Sequence, residues 1–344
     1  MAKTISTATS IGGTYSFLPG STGDFNVEAE GLTDVVFGQT FNSTETGVIN
    51  WTVSANSYWK GHAGYVAELK KSGTSTATTG EAMTSVTSAI YKTTDTTKNV
   101  WDRTATVTVY DGVTDVTANV ESIDYLYGQV TFTSGSEPSG TVTADFNYLP
   151  MSAFCAAREF TLTQTADAIE TSDLCTLQGN SGIRTYLPGL RQVSLDLTGF
   201  YTTSTDAKAE LLARNEVIIE IDPKGNGESI CRGFFKPMST GQSGDVGAIE
   251  DQTITYELSV PYSATETITP FSWNHTSTTL PTGVQNVLNA WENETTVFVQ
   301  YLHDGTNGWK GESVVTDVSL SSGISAMNEF SANFQGSDAY TAVP

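Results

Sequence analysis

Residues 47–59, GVINWTVSANSYW, and 189–201, GLRQVSLDLTGFY, read as two versions of one strand, and that likeness decides the fold. Gly47 stands over Gly189, Trp51 over Val193, Val53 over Leu195 and Ala55 over Leu197, with Tyr58–Trp59 over Phe200–Tyr201. Both alternate apolar and polar side chains, the period of a strand with one buried face. Upstream of each lies another strand-like stretch, Phe25 to Phe37 and Phe160 to Leu174, followed by a polar loop at 38–46 or 175–188. A similarity of this kind within one chain marks a duplicated unit.

The rest of the unit also occurs twice. TDAKAELLARNEVIIEI (205–221) and TGVQNVLNAWENETTVFVQY (282–301) each read as a helix running into a strand. Val284, Val287, Leu288 and Trp291 fall on one helical face, and Thr205 or Asp206, and Thr282, sit where an N-cap is wanted. Glycine-bearing turns follow, PKGNG and HDGTNG, and then strands in which Arg232–Gly233 match Lys310–Gly311. Final alternating strands lie at 254–260 and 329–335.

The expected fold is therefore mainly β with few helices: two β-sandwich domains, each flanked by a helix, plus a small inserted β-domain. One copy is complete in 151–270. The other is split between 24–60 and 271–344, and the β-rich stretch 61–150 reads as the insert. Residues 1–23 read as an N-terminal arm, a flexible or inter-subunit strap. A short helix at Ala63–Lys71 would offer another way to complete the first copy.

Thirty-eight acids against 16 bases leave a formal charge of −22. Nucleic-acid binding needs Lys and Arg to displace counterions, so this balance argues against a surface that grips phosphate. It suits a wall past which DNA slides, and equally a subunit kept soluble by charge. Cys155, Cys175 and Cys231 form no CxxC pair and no disulfide framework. Residues 1–20 carry no apolar run, and nothing approaches the roughly 20 apolar residues of a membrane helix. The expected compartment is a reducing cytoplasm, with no membrane partner.

Two segments carry a resemblance. GESVVTDVSLSSGISAMNEFSANFQG (311–336), and FTLTQTADAIETSDL (160–174) followed by GLRQVSLDLTGFY, resemble the major tail tube proteins of long non-contractile-tailed, siphovirus-like bacteriophages. YKTTDTTKNVWD (91–102) with IDYLYGQVTF (123–132) is similar to a further segment of that family. The resemblance implies a virion structural protein whose β-sandwiches join laterally into rings that stack into a conduit for genome DNA. With two copies per chain, three chains would supply six domains, a trimeric ring of pseudo-sixfold symmetry. It implies the chain itself as lateral and head-to-tail partner, a tape measure protein in the lumen, and tail terminator and distal tail proteins at the ends. DNA passes without specific binding. The expected location is the virion tail, assembled in the host cytoplasm.

On this reading the lumen candidates are Asp196, Glu220 and Glu257 in the complete copy and Thr52, Ser54 and Gln300 in the split one, each alternating with an apolar neighbour. The competing reading for each is a solvated outer face. The ring-stacking candidates are Thr176, Gln178, Asn180, Arg184 and Tyr186 in one loop and Asn42 and Glu45 in the other, against an ordinary surface loop.

Catalytic and cofactor chemistry leaves no signature. His62, His275 and His303 are scattered, without HxH or HExxH spacing. The glycine turns lack the Lys-Ser/Thr of a phosphate loop, and no nucleophile elbow is present. The expectation is a non-enzyme with no metal and no cofactor. The alternative is an acidic β-sandwich that binds carbohydrate or adheres through its 14 Tyr, 15 Phe and 6 Trp.

Overall fold

The computed structural model describes residues 3–10, 13–18, 22–34, 43–58, 67–154, 157–173, 182–200, 207–223, 225, 227, 229–244, 250–260, 268–275, 281–323 and 326–344. The chain is mainly β. It begins with β1 (Thr4–Ala8), β2 (Ser16–Phe17), β3 (Thr22–Asp34), β4 (Ser43–Tyr58) and β5 (Glu68–Ser72). Then come β6 (Thr76–Ser85), β7 (Ile90–Thr93), β8 (Thr108–Asp111), β9 (Thr114–Asp115), β10 (Val120–Asp124), β11 (Gln129–Phe132) and β12 (Val142–Tyr148). β13 (Met151–Ala153), β14 (Ala157–Glu170) and β15 (Tyr186–Phe200) lead into helix α1 (Ala207–Ala213). β16 (Val217–Asp222), β17 (Ser229–Ser243), β18 (Asp251–Leu258) and β19 (Phe271–His275) precede helix α2 (Thr282–Glu292). β20 (Val297–Leu302), β21 (Gly308–Gly323), β22 (Ala326–Gly336) and β23 (Thr341–Val343) end the chain.

Two units repeat each other pairing by pairing. β15 meets β18 with Ser194 opposite Glu257, as β4 meets β22 with Thr52 opposite Gln335. The irregularities recur as well. β14 shifts against β15 between Ala166 and Ala168, and β3 against β4 between Ala29 and Gly31. β17 shifts against β18 between Pro237 and Ser239, and β21 against β22 between Val315 and Asp317. β5 lies along β16 as β1 lies along β20, and β19 flanks the start of β17 as β23 flanks the start of β21. Among the described residues, the non-glycine residues with positive φ are Arg214 (55°) and Glu294 (54°), each just past a helix. Extra residues of this kind bend a strand and are kept as features of a fold.

In chain order, the unit running from β5 to β19 sits whole between β4 and α2 of the other. This corrects several expectations. Thr4–Ala8 is not an arm: it is an edge strand of the split unit, with Ile5 only 1% exposed. Phe271–His275 pairs with β17 and so belongs with the complete unit, and Glu68–Ser72 is strand where a helix had been an option. Thr282 is the first helical residue, preceded by Pro281 without a side-chain cap bond; Pro has no N–H to leave unpaired and serves well at a helix start. Thr205 and Asp206 lie outside the described residues.

One core runs through both units, from Trp51, Phe330 and Phe334 to Leu195, Tyr256 and Phe235. Helix α2 buries Val284, Val287, Leu288 and Trp291 and packs against β1, β20 and β21. Residues 76–148 form a separate seven-stranded sheet around Trp101, Val130 and Phe146. It docks on the complete unit through Ile218 of β16 and Phe234 of β17, which point away from that unit's own core and into this second one.

Candidate functional face and hairpin ends

Eight strands of the two units run side by side in the order β17–β18–β15–β14–β21–β22–β4–β3. The units meet at β14 and β21, paired antiparallel from Glu159 opposite Gly323 to Thr165 opposite Asp317. Alternation gives this sheet one apolar face. Val193, Leu195 and Leu197 of β15, Leu162 of β14, Val318 and Leu320 of β21 and Val53 and Ala55 of β4 are all buried there. The opposite face is hydroxyl, amide and carboxylate. Thr161, Thr163 and Thr165 of β14 lie across from Ser321, Ser319 and Asp317 of β21. Thr52, Ser54 and Asn56 of β4 lie across from Gln335, Asn333 and Ser331 of β22.

Acids outnumber bases on that face: Asp24, Glu28, Glu159, Asp196, Asp251, Glu257, Asp317 and Glu329, against Lys236 opposite Glu257, Lys3 at 3.3 Å from Asp24 and Arg158 at 3.8 Å from Asp251. Thr255 Oγ1 donates to Asp196 Oδ1 at 2.7 Å. Partial burial among hydroxyls raises the Asp317 carboxyl above its ordinary pKa. Ser and Thr hydroxyls offer short, neutral contacts, and the carboxylates repel polyanions.

Of the six lumen candidates, Asp196, Glu257, Thr52 and Ser54 share this face. Glu220 and Gln300 do not. They lie on β16 and β20, the equivalent strands of the two other layers; Gln300 is half-buried there, and burial rules Glu220 out of any channel wall. Glu220 is 3% exposed, and its environment is a clamp rather than a channel wall. Arg232 Nε donates to Glu220 Oε2 at 2.7 Å, Lys70 Nζ to Oε1 at 3.0 Å, and Arg232 Nη1 to Leu126 O at 2.7 Å. The guanidinium lies 4.9 Å from the Tyr127 ring centre, and Tyr127 Oη donates to Ser272 O at 2.8 Å. Burial alone pushes the Glu220 carboxyl up, but Arg232 and Lys70 outweigh it and hold the pKa below the usual range. Strand alternation in the sequence shows that Glu220 and Ile221 face opposite ways; it does not show that the inserted sheet covers the Glu220 side.

The two long hairpins emerge side by side. Ile49 N donates to Gly182 O at 2.8 Å and Arg184 N to Ile49 O at 3.1 Å, with Arg184 also paired to Glu30 (3.0 Å) and Glu170 (3.3 Å). Tyr186 is buried at their base: its N donates to Ser337 Oγ at 3.1 Å, and Ser337 Oγ donates to Tyr186 O at 2.5 Å. It therefore braces the two units and is withdrawn as a stacking contact. Glu45 belongs to β4, so the turn expected at 38–46 is shorter than it reads. Asn42, Thr176, Gln178 and Asn180 lie outside the described residues.

The aromatics close on one another. Phe25 lies 5.8 Å from Trp51, 6.0 Å from Tyr301, 6.2 Å from Trp309 and 5.6 Å from Tyr340, centre to centre. Such offset and edge-on packing is core-like, although Trp309 remains 38% exposed and Phe17, elsewhere, 62%.

No protein-family model matches the chain, and no curated protein matches it. Two solved structures are similar to part of it. The virion of a native gene transfer agent particle aligns at TM-score 0.29 and 15% identity, over 36% of this chain and 88% of that one. The tail of an empty gene transfer agent particle with C6 symmetry aligns at TM-score 0.30 and 14% identity, over 37% and 87%. At that level the likeness carries no weight below, where the reading rests on the chain's own geometry.

Proposed function

We propose that this chain is a structural subunit of a phage tail tube, the major tail protein of a siphovirus-like particle, and not an enzyme. One observation carries the reading: a single sheet spans both units with one face dominated by hydroxyls, amides and carboxylates. Such a wall lets DNA slide while offering little for phosphate to hold. Three chains supply six units, and the acidic face lines the bore. The paired hairpins then reach the next ring, a head-to-tail contact that propagates into a filament. On this reading the inserted sheet, which packs on Ile218 and Phe234 away from the acidic face, would decorate the tube exterior. A tape measure protein would occupy the lumen during assembly, and tail terminator and distal tail proteins would close the two ends.

Electron microscopy of the concentrated protein, alone and with an initiator complex, tests this. Hollow rods of uniform width whose rings hold three chains are expected. Solid aggregates, or rings of six chains each using one unit, would overturn it. A glycan array and chromogenic esters and glycosides would expose the adhesive and hydrolytic alternatives.

A further inference from the structure

The eight-stranded sheet has two ends, β3 and the later half of β17. Among the described residues, β3 pairs only with β4, and residues 239–243 of β17 pair only with β18. Both edges are open. Asn26, Glu28, Ser239, Gln242 and Ser243 are exposed, and Val27 is 43% exposed. Open edges of this length recruit other strands unless something covers them.

The duplication says what covers them. β3 is the counterpart of β14, since their partners β4 and β15 and their register shifts correspond. The later half of β17 is likewise the counterpart of the later half of β21, beyond matching bulges. Within the chain β14 pairs with β21. The geometry points to the same seam between molecules: β3 of one copy of this chain pairs antiparallel with β17 of a second. This deepens the proposed tube and rests on it only for ring closure.

The register follows from the in-chain seam. Thr161 opposite Ser321 becomes Asp24 opposite Ser243, Leu162 opposite Leu320 becomes Phe25 opposite Gln242, and Thr163 opposite Ser319 becomes Asn26 opposite Gly241. Gln164 opposite Val318 becomes Val27 opposite Thr240, and Thr165 opposite Asp317 becomes Glu28 opposite Ser239. No acid faces an acid in these pairs, and no proline interrupts either segment, so the outward-pointing backbone N–H groups can join a ladder. The seam covers Val27, as the in-chain seam covers its counterpart Gln164, which is fully buried. Because each step repeats the relation between the two units of one chain, successive copies turn by a constant angle and the edges vanish on closure.

Cysteine pairing across the seam tests the register. Full-length chains carrying only Asp24→Cys are mixed with chains carrying only Ser243→Cys, assembled, oxidised and mapped by peptide mass spectrometry. Opposed residues in an antiparallel pair are about 5 Å apart at Cα, within disulfide reach. The control, Asp24→Cys with Ser239→Cys, is displaced by four residues, about 13 Å, and is out of reach. A 24–243 cross-linked dimer, at least about tenfold over the control, is expected. Rings that form without that cross-link, or with the 24–239 one instead, overturn the seam and leave the tube standing. Cross-linked open strings without hollow rings uphold the seam and overturn the tube. A chain that stays monomeric at every concentration overturns both.

Discussion

Gly336 has no space for a side chain, because a Cβ there would lie 2.0 Å from Trp51 Cε2. Trp51 is 2% exposed and donates from Nε1 to Asp338 O at 2.8 Å, so it has nowhere to move. Gly336→Ala should therefore destabilise by about 1–3 kcal/mol, seen as a lower urea midpoint at unchanged slope. Glu220 makes the opposite point, that a charge is tolerated inside only while its partners stay. Glu220→Gln leaves Arg232 buried without its counter-ion and should cost roughly 3–5 kcal/mol. The pH sign follows from the lowered carboxyl pKa. A carboxylate that binds its proton less readily when folded contributes stability above the usual glutamate pKa. That contribution is lost as pH falls through the depressed folded value. Denaturation midpoints measured from pH 6 down to pH 3 should drop more steeply in the parent protein than in Glu220→Gln; parallel curves would refute the linkage.

At the scale of the element, the two helices end alike and the strands bend alike. Arg214 follows α1 with φ 55°, a left-handed conformation that a side chain resists and glycine does not. Its N–H donates back to Glu210 O at 3.1 Å, closing the last turn. Arg214→Gly should raise stability by about 0.5–1 kcal/mol, read as a rise in thermal midpoint, because the strained cap is relieved. The equivalent Glu294 pairs with Arg191 at 2.7 Å, so the same change there loses an ion pair and should gain less. The strands themselves were legible because alternation survives in each: Val193, Leu195 and Leu197 against Ser194, Asp196 and Thr198. Their ends were less so. Strand ends depend on pairing between distant stretches, which a single run of alternating side chains does not specify.

At the scale of the molecule, a face on which acids outnumber bases predicts an electrostatic phenotype separable from folding. Asp196→Lys with Glu257→Lys leaves the buried face untouched, so rods should still form, while DNA ejection from particles carrying the variant should slow or stop. Added salt should partly restore it by screening the new charges. Normal ejection would mean that this face does not line the channel. The split unit illustrates how far apart in sequence one sandwich can begin and end: β1 at Thr4–Ala8 pairs with β20 at Phe298–Leu302.

Period-two alternation, a local property of each strand, is enough to read the repeated unit, the mainly β class and the polar-face position of Thr52, Ser54, Asp196 and Glu257 from side chains alone. The insert expected at 61–150 is narrower in the structure, a separate sheet over 76–148, because Glu68–Ser72 pairs with β16 of the complete unit. Only the tertiary structure decided that residues 4–8 complete a sandwich, that Glu220 and Tyr186 are interior, and that β14 joins β21. Those facts depend on which strand lies beside which, and edge pairing between distant segments is chosen by the assembled sheet rather than by any single stretch of side chains.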